Sequence, residues 1–189
     1  PKADEILDKR GIFFDKNRSV DITTSVTGTF TTEGWAVYKY TNLQSNGEPG
    51  KNTTFPDTDF PMFRLGDVYL MYAEAVARGG EGGDLATAVN YINALRERAY
   101  GDTYHNITES WLLENNLQNI LDERCRELYW EGVRRTDLIR FGLYTSPNYL
   151  WTFKGGVLNG VGVDSRYNVF PIPTTDMSVN GNLKQNEGY

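Results

Sequence analysis

The chain has 189 residues and a formal net charge of −6, with 39% hydrophobic residues, enough for one domain with a real core. The acidic balance and scattered Lys and Arg leave no basic face for nucleic acid, and no apolar run approaches the roughly 20 residues that cross a bilayer. A single cysteine, Cys125, excludes an internal disulfide; aromatics are the one excess, at 4 Trp, 12 Tyr and 9 Phe, and rings with polar tips suit a sugar-binding surface, a core or a protein interface alike.

The chain opens at Pro1 in polar residues, with neither an initiator Met nor a signal peptide, and reads as a fragment of a longer protein. Residues 1–62 carry no sustained helical period. Gly11-Ile12-Phe13-Phe14 and Trp35-Ala36-Val37-Tyr38-Lys39-Tyr40 have β-type composition bounded by turn formers, which predicts short strands among irregular loops. The tract from Asn42 to Pro56 is loop chemistry. Asp57-Thr58-Asp59 follows. In an extended segment Asp57 and Asp59 project to the same side and are candidate chelators of a hard cation such as Ca²⁺; turn capping is the alternative.

From Phe63 the pattern turns helical and nearly apolar all round, with Leu65, Val68, Tyr69, Tyr72, Ala75 and Val76 on one face and Leu70, Met71 and Ala77 over much of the other. That predicts a sandwiched helix in which Glu74 needs an arginine. Gly79-Gly80 ends it, Asp84 is placed to cap the next helix, and Ala88, Tyr91, Ile92 and Leu95 form that helix's apolar face. The pair resembles a tetratricopeptide-type unit with a lengthened turn. His105, the only histidine, lies in a loop, which removes His-based triads and His-rich zinc sites.

A helix capped near Thr108 is predicted next, with Leu113, Leu117, Ile120, Leu121, Cys125 and Leu128 on one stripe. Cys125 there reads as a small buried hydrophobe. Arg124 lies inside the stripe, while Glu123, Glu127 and Glu131, four apart, climb its side. Like charges at that spacing repel, so they call for cations from elsewhere: Arg64, Arg96, Arg98, Arg134, Arg135 and Arg140 are available, with Glu74 and Asp137 as further acids. The favoured reading is a structural ion network of Glu74, Arg124, Glu127, Glu131, Arg135, Asp137 and Arg140 that staples helices in register. The alternative is a helical glycoside hydrolase using two of Glu74, Glu123, Glu127, Glu131 and Asp137. Gly132 and Gly142 mark a bend and a stop.

Beyond Gly142 the chain is rich in loops. Tyr149, Trp151 and Phe153 alternate and form either a row packed on the helices or a stacking platform. Phe170-Pro171-Ile172-Pro173 is held extended by its prolines. The chain thus divides into an irregular excursion with short strands over 1–62, a helical scaffold over 63–142 and a loop-rich excursion over 143–189.

Several blocks in one order resemble the SusD/RagB family of outer-membrane lipoproteins: Asp57 to Leu65, Ala73-Glu74-Ala75, Glu123-Arg124 with Glu127, Glu131-Gly132, Arg135, Asp137-Leu138, Arg140-Phe141-Gly142, Tyr149-Leu150-Trp151, Lys154-Gly155-Gly156, Pro171-Ile172-Pro173 and Gln185 to Tyr189. The resemblance runs from about Lys9 to Tyr189. It implies a mostly α-helical fold of tetratricopeptide-type helix pairs with long irregular loops, of which this chain is the C-terminal part. It also implies a surface-exposed outer-membrane protein without catalytic activity, attached through an upstream lipidated cysteine that is not Cys125. The implied partners are a glycan, with starch the nearest analogy, and a TonB-dependent, SusC-like transporter; the implied cofactor is none, or a structural calcium ion at Asp57 and Asp59. Glycan contacts are expected mainly upstream of these residues. A peptide- or protein-binding helical repeat is the further alternative.

Overall fold

A computed structural model describes residues 6–19, 32–151 and 159–189. They divide into two units, within the segments Pro1–Val20 and Gly34–Arg134 for one and Asp21–Glu33 and Arg135–Tyr189 for the other.

The first unit is built on helix α1 (Leu65–Ala77) packed against α2 (Leu85–Tyr100), with α3 (Glu109–Leu113) and α4 (Gln118–Leu128) completing the layer. Asp84 starts α2 by accepting the Thr87 amide on Oδ1 at 2.7 Å, which satisfies one of the donors every helix start leaves open. Gly101 ends it at φ +84, in the left-handed region, with its amide donating to Glu97 O at 2.7 Å. Leu70 and Ala73 of α1 meet Ala88, Ile92 and Leu95 of α2, and Ile107, Leu112, Ile120 and Leu128 close the core. Each fully buried Leu or Ile here contributes about 1.5–3 kcal/mol. Tyr91 stacks on Tyr69 at 4.2 Å and meets the edge of Tyr72 at 5.1 Å. Two-residue strands β1 (Phe13–Phe14) and β2 (Ala36–Val37) pair antiparallel, with Phe13 opposite Val37.

Two features depart from the periodicity. The sandwich predicted for α1 is one-sided in this chain: Gly66, Leu70, Ala73 and Glu74 are buried, while Leu65, Val68 and Met71 are about half exposed. The stripe predicted to run unbroken from Thr108 is interrupted. Asn115, Asn116 and Leu117 all take positive φ between α3 and α4, a conformation asparagine accepts because its short amide can bond locally. Asn119 Nδ2 then donates to Trp111 O at 2.8 Å and satisfies a carbonyl the break leaves open.

Helix α5 (Arg134–Arg140) starts at the last residue of the first unit and lies otherwise in the second, whose described residues also include a bridge between Trp151 and Val161, a 3₁₀ turn over Ser165–Asn168 and α6 (Thr174–Val179). Asp137 and Leu138 of α5 are buried. Pro171 and Pro173 have no N–H to give, so the extended segment they hold must be satisfied by other groups. Gln185 does so for Ile172, accepting its amide and donating to its carbonyl at 2.8 Å each, and Asn186 Nδ2 donates to Phe170 O at 2.7 Å. Tyr189 finishes the clamp by donating to Val169 O at 2.9 Å.

Candidate functional site

Because α4 turns about 100° per residue, Glu123 and Glu127 lie one above the other on one face, and both are buried. Glu131 follows from beyond the helix end. The chain leaves α4 through Tyr129 and through Trp130 at φ +62, so the third acid is placed by a turn rather than by the helix.

Among the described residues, six cations meet this ladder. Arg10 Nη1 donates to Glu123 Oε1 at 2.7 Å and to Glu127 Oε2 at 3.1 Å, while its Nε and Nη2 grip Asp8. Arg96 and Arg126 donate to Glu123 Oε2 at 2.7 and 2.8 Å. Arg98 Nη2 meets both oxygens of Glu127 at 2.6 and 2.7 Å. Arg64 joins Glu127, at 2.6 Å, to both oxygens of Glu131, at 2.6 and 2.7 Å. Lys39 pairs with Glu131. Lys39 and Arg64 also donate to the Glu127 carbonyl, at 2.9 and 2.7 Å, where the negative end of the α4 dipole lies.

These contacts settle the electrostatics of the ladder. Burial alone would raise the pKa of Glu127, but hydrogen bonds from Arg98 and Arg64 outweigh it and take the carboxyl down to about 2. Burial opposes ionisation of Glu123 too, and the charges of Arg10 and Arg126 hold it below the usual carboxylate value. Glu131 is held low against burial by Arg64 and Lys39. All three are ionised at neutral pH, and none is a reservoir of protons.

A cleft of about 460 Å³ opens beside the ladder, between Lys9, Lys39, Tyr40, Arg64 and Arg98. The Tyr40 hydroxyl is buried there with no hydrogen-bond partner among the described residues.

Of the remaining predicted residues, Arg124 is buried and donates to Asp67 at 2.9 Å, and Glu74 accepts from Arg78, one turn along α1, at 2.9 Å. Arg134 donates to the Leu121 carbonyl. In the second unit, buried Asp137 accepts from Arg140 at 2.7 Å. Arg135 donates to the carbonyls of Tyr167 and Asn168, and its guanidinium lies over the rings of Tyr144 and Phe170 at 5.1 and 4.2 Å. Cys125 is half-buried, in a smaller cleft with Phe13 and Tyr129. Asp57 and Asp59 are exposed, and Asp57 accepts the Lys51 amide at 3.2 Å. Among the described residues no three His, Cys, Asp or Glu side chains gather in a metal-holding group. Tyr149 meets Trp151 edge to face at 5.2 Å; Phe153, the third member of the alternating row, lies outside the described residues.

Sequence reasoning named Arg64, Arg96 and Arg98 but missed Arg10, Lys39 and Arg126 at the ladder, and Asp67 opposite Arg124. Arg126 had a readable signal, since it stands three residues from Glu123 on one helix. Arg10 and Lys39 come from irregular segments with no period that points at α4.

Comparison with known proteins adds a second line of evidence. The model of the SusD family matches residues 16–189. Over 159 residues, or 84% of this chain, the sequence is 46% identical to Starch-binding protein SusD of Bacteroides thetaiotaomicron, of which the match covers 26%. It is 33% identical over 132 residues to SusD-like protein P25 of Formosa agariphila, covering 68% of this chain and 24% of that protein. The chain thus spans about a quarter of the length of these curated relatives. Among solved structures, Surface glycan-binding protein A from Bacteroides thetaiotaomicron superposes with a TM-score of 0.62 at 26% identity, over 85% of this chain and 32% of that one.

Proposed function

Since this chain belongs to the SusD family, we propose that it is part of a cell-surface protein that captures an oligosaccharide without cleaving it and passes it to a TonB-dependent, SusC-like transporter in the outer membrane. In this reading the protein is attached by a lipid upstream of these residues, and starch-like glucan is the preferred ligand. The observation that carries the reading is the 46% identity to Starch-binding protein SusD over 84% of the chain. The helical unit supplies scaffold, and its ion ladder is stiffening rather than machinery.

The carboxylates support capture over turnover. Glycoside hydrolysis needs one carboxyl that holds a proton near neutral pH and delivers it to the leaving oxygen. Glu123, Glu127 and Glu131 are each wrapped in two or more cations and pushed the other way. Capture asks only for ring faces against the C–H faces of sugars, hydrogen bonds that select their shape, and a raised concentration at the transporter mouth.

The test is isothermal titration of the full-length protein against maltoheptaose, a linear β-glucan and a non-carbohydrate control, followed by a reducing-end assay. Maltoheptaose is expected to bind and to be recovered intact. Release of reducing ends, abolished by a single Glu substitution that spares binding, would replace the proposal with an enzyme. Failure of both glycans to bind would move the search to peptides.

A further inference from the structure

The second unit contains a cleft of about 420 Å³ lined by Tyr144, Trp151, Val161, Gly162, Asp164 and Tyr167, with Val163. Its volume is that of a small-molecule site, about 300–1,000 Å³. Tyr144 and Trp151 stand nearly perpendicular, 80° apart with centroids at 5.6 Å, so the wall presents one ring face and one ring edge. The wall is fixed: Trp151 Nε1 donates to the Tyr144 carbonyl at 3.4 Å, and the Trp151 amide bonds Val161 O at 3.2 Å. Arg135 braces two sides at once, since it lies over the Tyr144 ring and donates to Tyr167 O at 2.8 Å. Tyr167 and Val161 remain about two-fifths exposed, so the cleft is open to solvent.

The charged group among the described residues of this wall is Asp164. Its Oδ1 is used, accepting the Arg166 amide at 2.9 Å as the cap of the 3₁₀ turn. Its Oδ2 has no partner among the described residues and is free to accept from a ligand hydroxyl. No cationic side chain is among the described lining residues; Arg135 Nη2 donates to the carbonyls of Tyr167 and Asn168, and Arg166 Nη2 donates to the Tyr167 hydroxyl at 3.2 Å. A ligand carboxylate set against Asp164 Oδ2 would bring two acceptors together, whereas a neutral polyol with an apolar face offers hydroxyl donors to that oxygen and C–H groups to the rings.

We infer that this cleft is a sugar subsite of the C-terminal unit itself, taking one neutral pyranose residue with its C–H face on Tyr144 and Trp151 and a hydroxyl donating to Asp164 Oδ2. The inference deepens the glycan-capture reading and rests on it, and adds a contact region to the upstream ones expected there.

The experiment is a titration of the full-length protein, labelled with ¹⁵N at its indoles, with maltotriose, cellotriose and tri-galacturonate, in parallel with calorimetry. The Trp151 Nε1 resonance is assigned by its loss in Trp151→Phe. One of the neutral trisaccharides is expected to shift that resonance and tri-galacturonate to leave it still. Asp164→Asn keeps the turn cap but replaces the free acceptor with a donor, and should weaken binding read at Trp151 about tenfold, the size of one charge-assisted hydrogen bond. Calorimetric binding of a neutral trisaccharide with a motionless Trp151 resonance would overturn the subsite and leave the capture reading standing. Absence of binding by either readout, with maltoheptaose also inert, would overturn both. Unchanged affinity at Trp151 in Asp164→Asn would remove Asp164 from the site and with it the subsite as described.

Discussion

Glu127 concentrates the electrostatics of the helical unit in one side chain: it is buried and holds Arg10, Arg64 and Arg98. Its folded value of about 2 lies below its ordinary 4.5, so its ionised form stabilises the fold above about pH 4.5, and that contribution is lost as pH falls toward 2. The shift corresponds to on the order of 3 kcal/mol. Urea unfolding of the protein between pH 5 and pH 2.5 should therefore show stability falling with pH, and Glu127→Gln should flatten that slope while lowering stability at pH 7. An unaltered slope would mean that the guanidiniums do not hold this carboxylate. Arg124→Ala should cost about 2 kcal/mol, because it removes a buried guanidinium and its charge-assisted hydrogen bond to partly exposed Asp67. A melting temperature equal to wild type would contradict that.

At the scale of elements, caps and clamps decide where regular structure starts and stops. Asp84→Ala should cost about 1 kcal/mol by leaving the Thr87 amide unsatisfied, while Asp84→Asn should restore most of it. Gln185→Ala removes both bonds to Ile172 from a segment whose prolines cannot compensate, and a loss of about 2 kcal/mol in denaturant melts is expected. The elements themselves were unevenly legible. Helices α1 and α2 announce themselves because Leu70, Ala73, Ala88, Ile92 and Leu95 recur at helical spacing between glycines and a capping aspartate. The break before α4 does not, since Leu113, Leu117 and Ile120 keep the same spacing across it and only backbone dihedrals at Asn115 to Leu117 record the change. Periodicity counts residues and cannot see three of them turned left-handed. The exposed side of α1 is invisible for another reason: an apolar residue is written identically whether or not its covering partner belongs to the same stretch of chain.

For the whole molecule, the proposed ligand and the net charge of −6 together make a prediction. Capture of a neutral glycan through ring stacking involves no long-range charge attraction, so its Kd should change by less than about twofold between 0.05 and 0.5 M NaCl in calorimetry. A tenfold loss would indicate an anionic ligand instead. The ion ladder was legible as a need, because three acids on one side of an apolar stripe demand cations, but its suppliers were legible only where they stood on helices. Arg10 and Lys39 arrive from segments without a period, which no local pattern connects to α4. Arg10 precedes Glu123 and Glu127 by 113 and 117 residues, and this sets an order of events at the ribosome. At about 5–20 residues per second, its guanidinium emerges roughly 6 to 23 s before the acids it will bind. The segment bearing Arg10 can bond Ala99 O of α2 early through its Lys9 amide, but it completes its docking only when α4 and the Tyr129 hydroxyl, which donates to Arg10 O, have been made. Until it does, the nascent helical layer carries two buried acids short of one counter-charge.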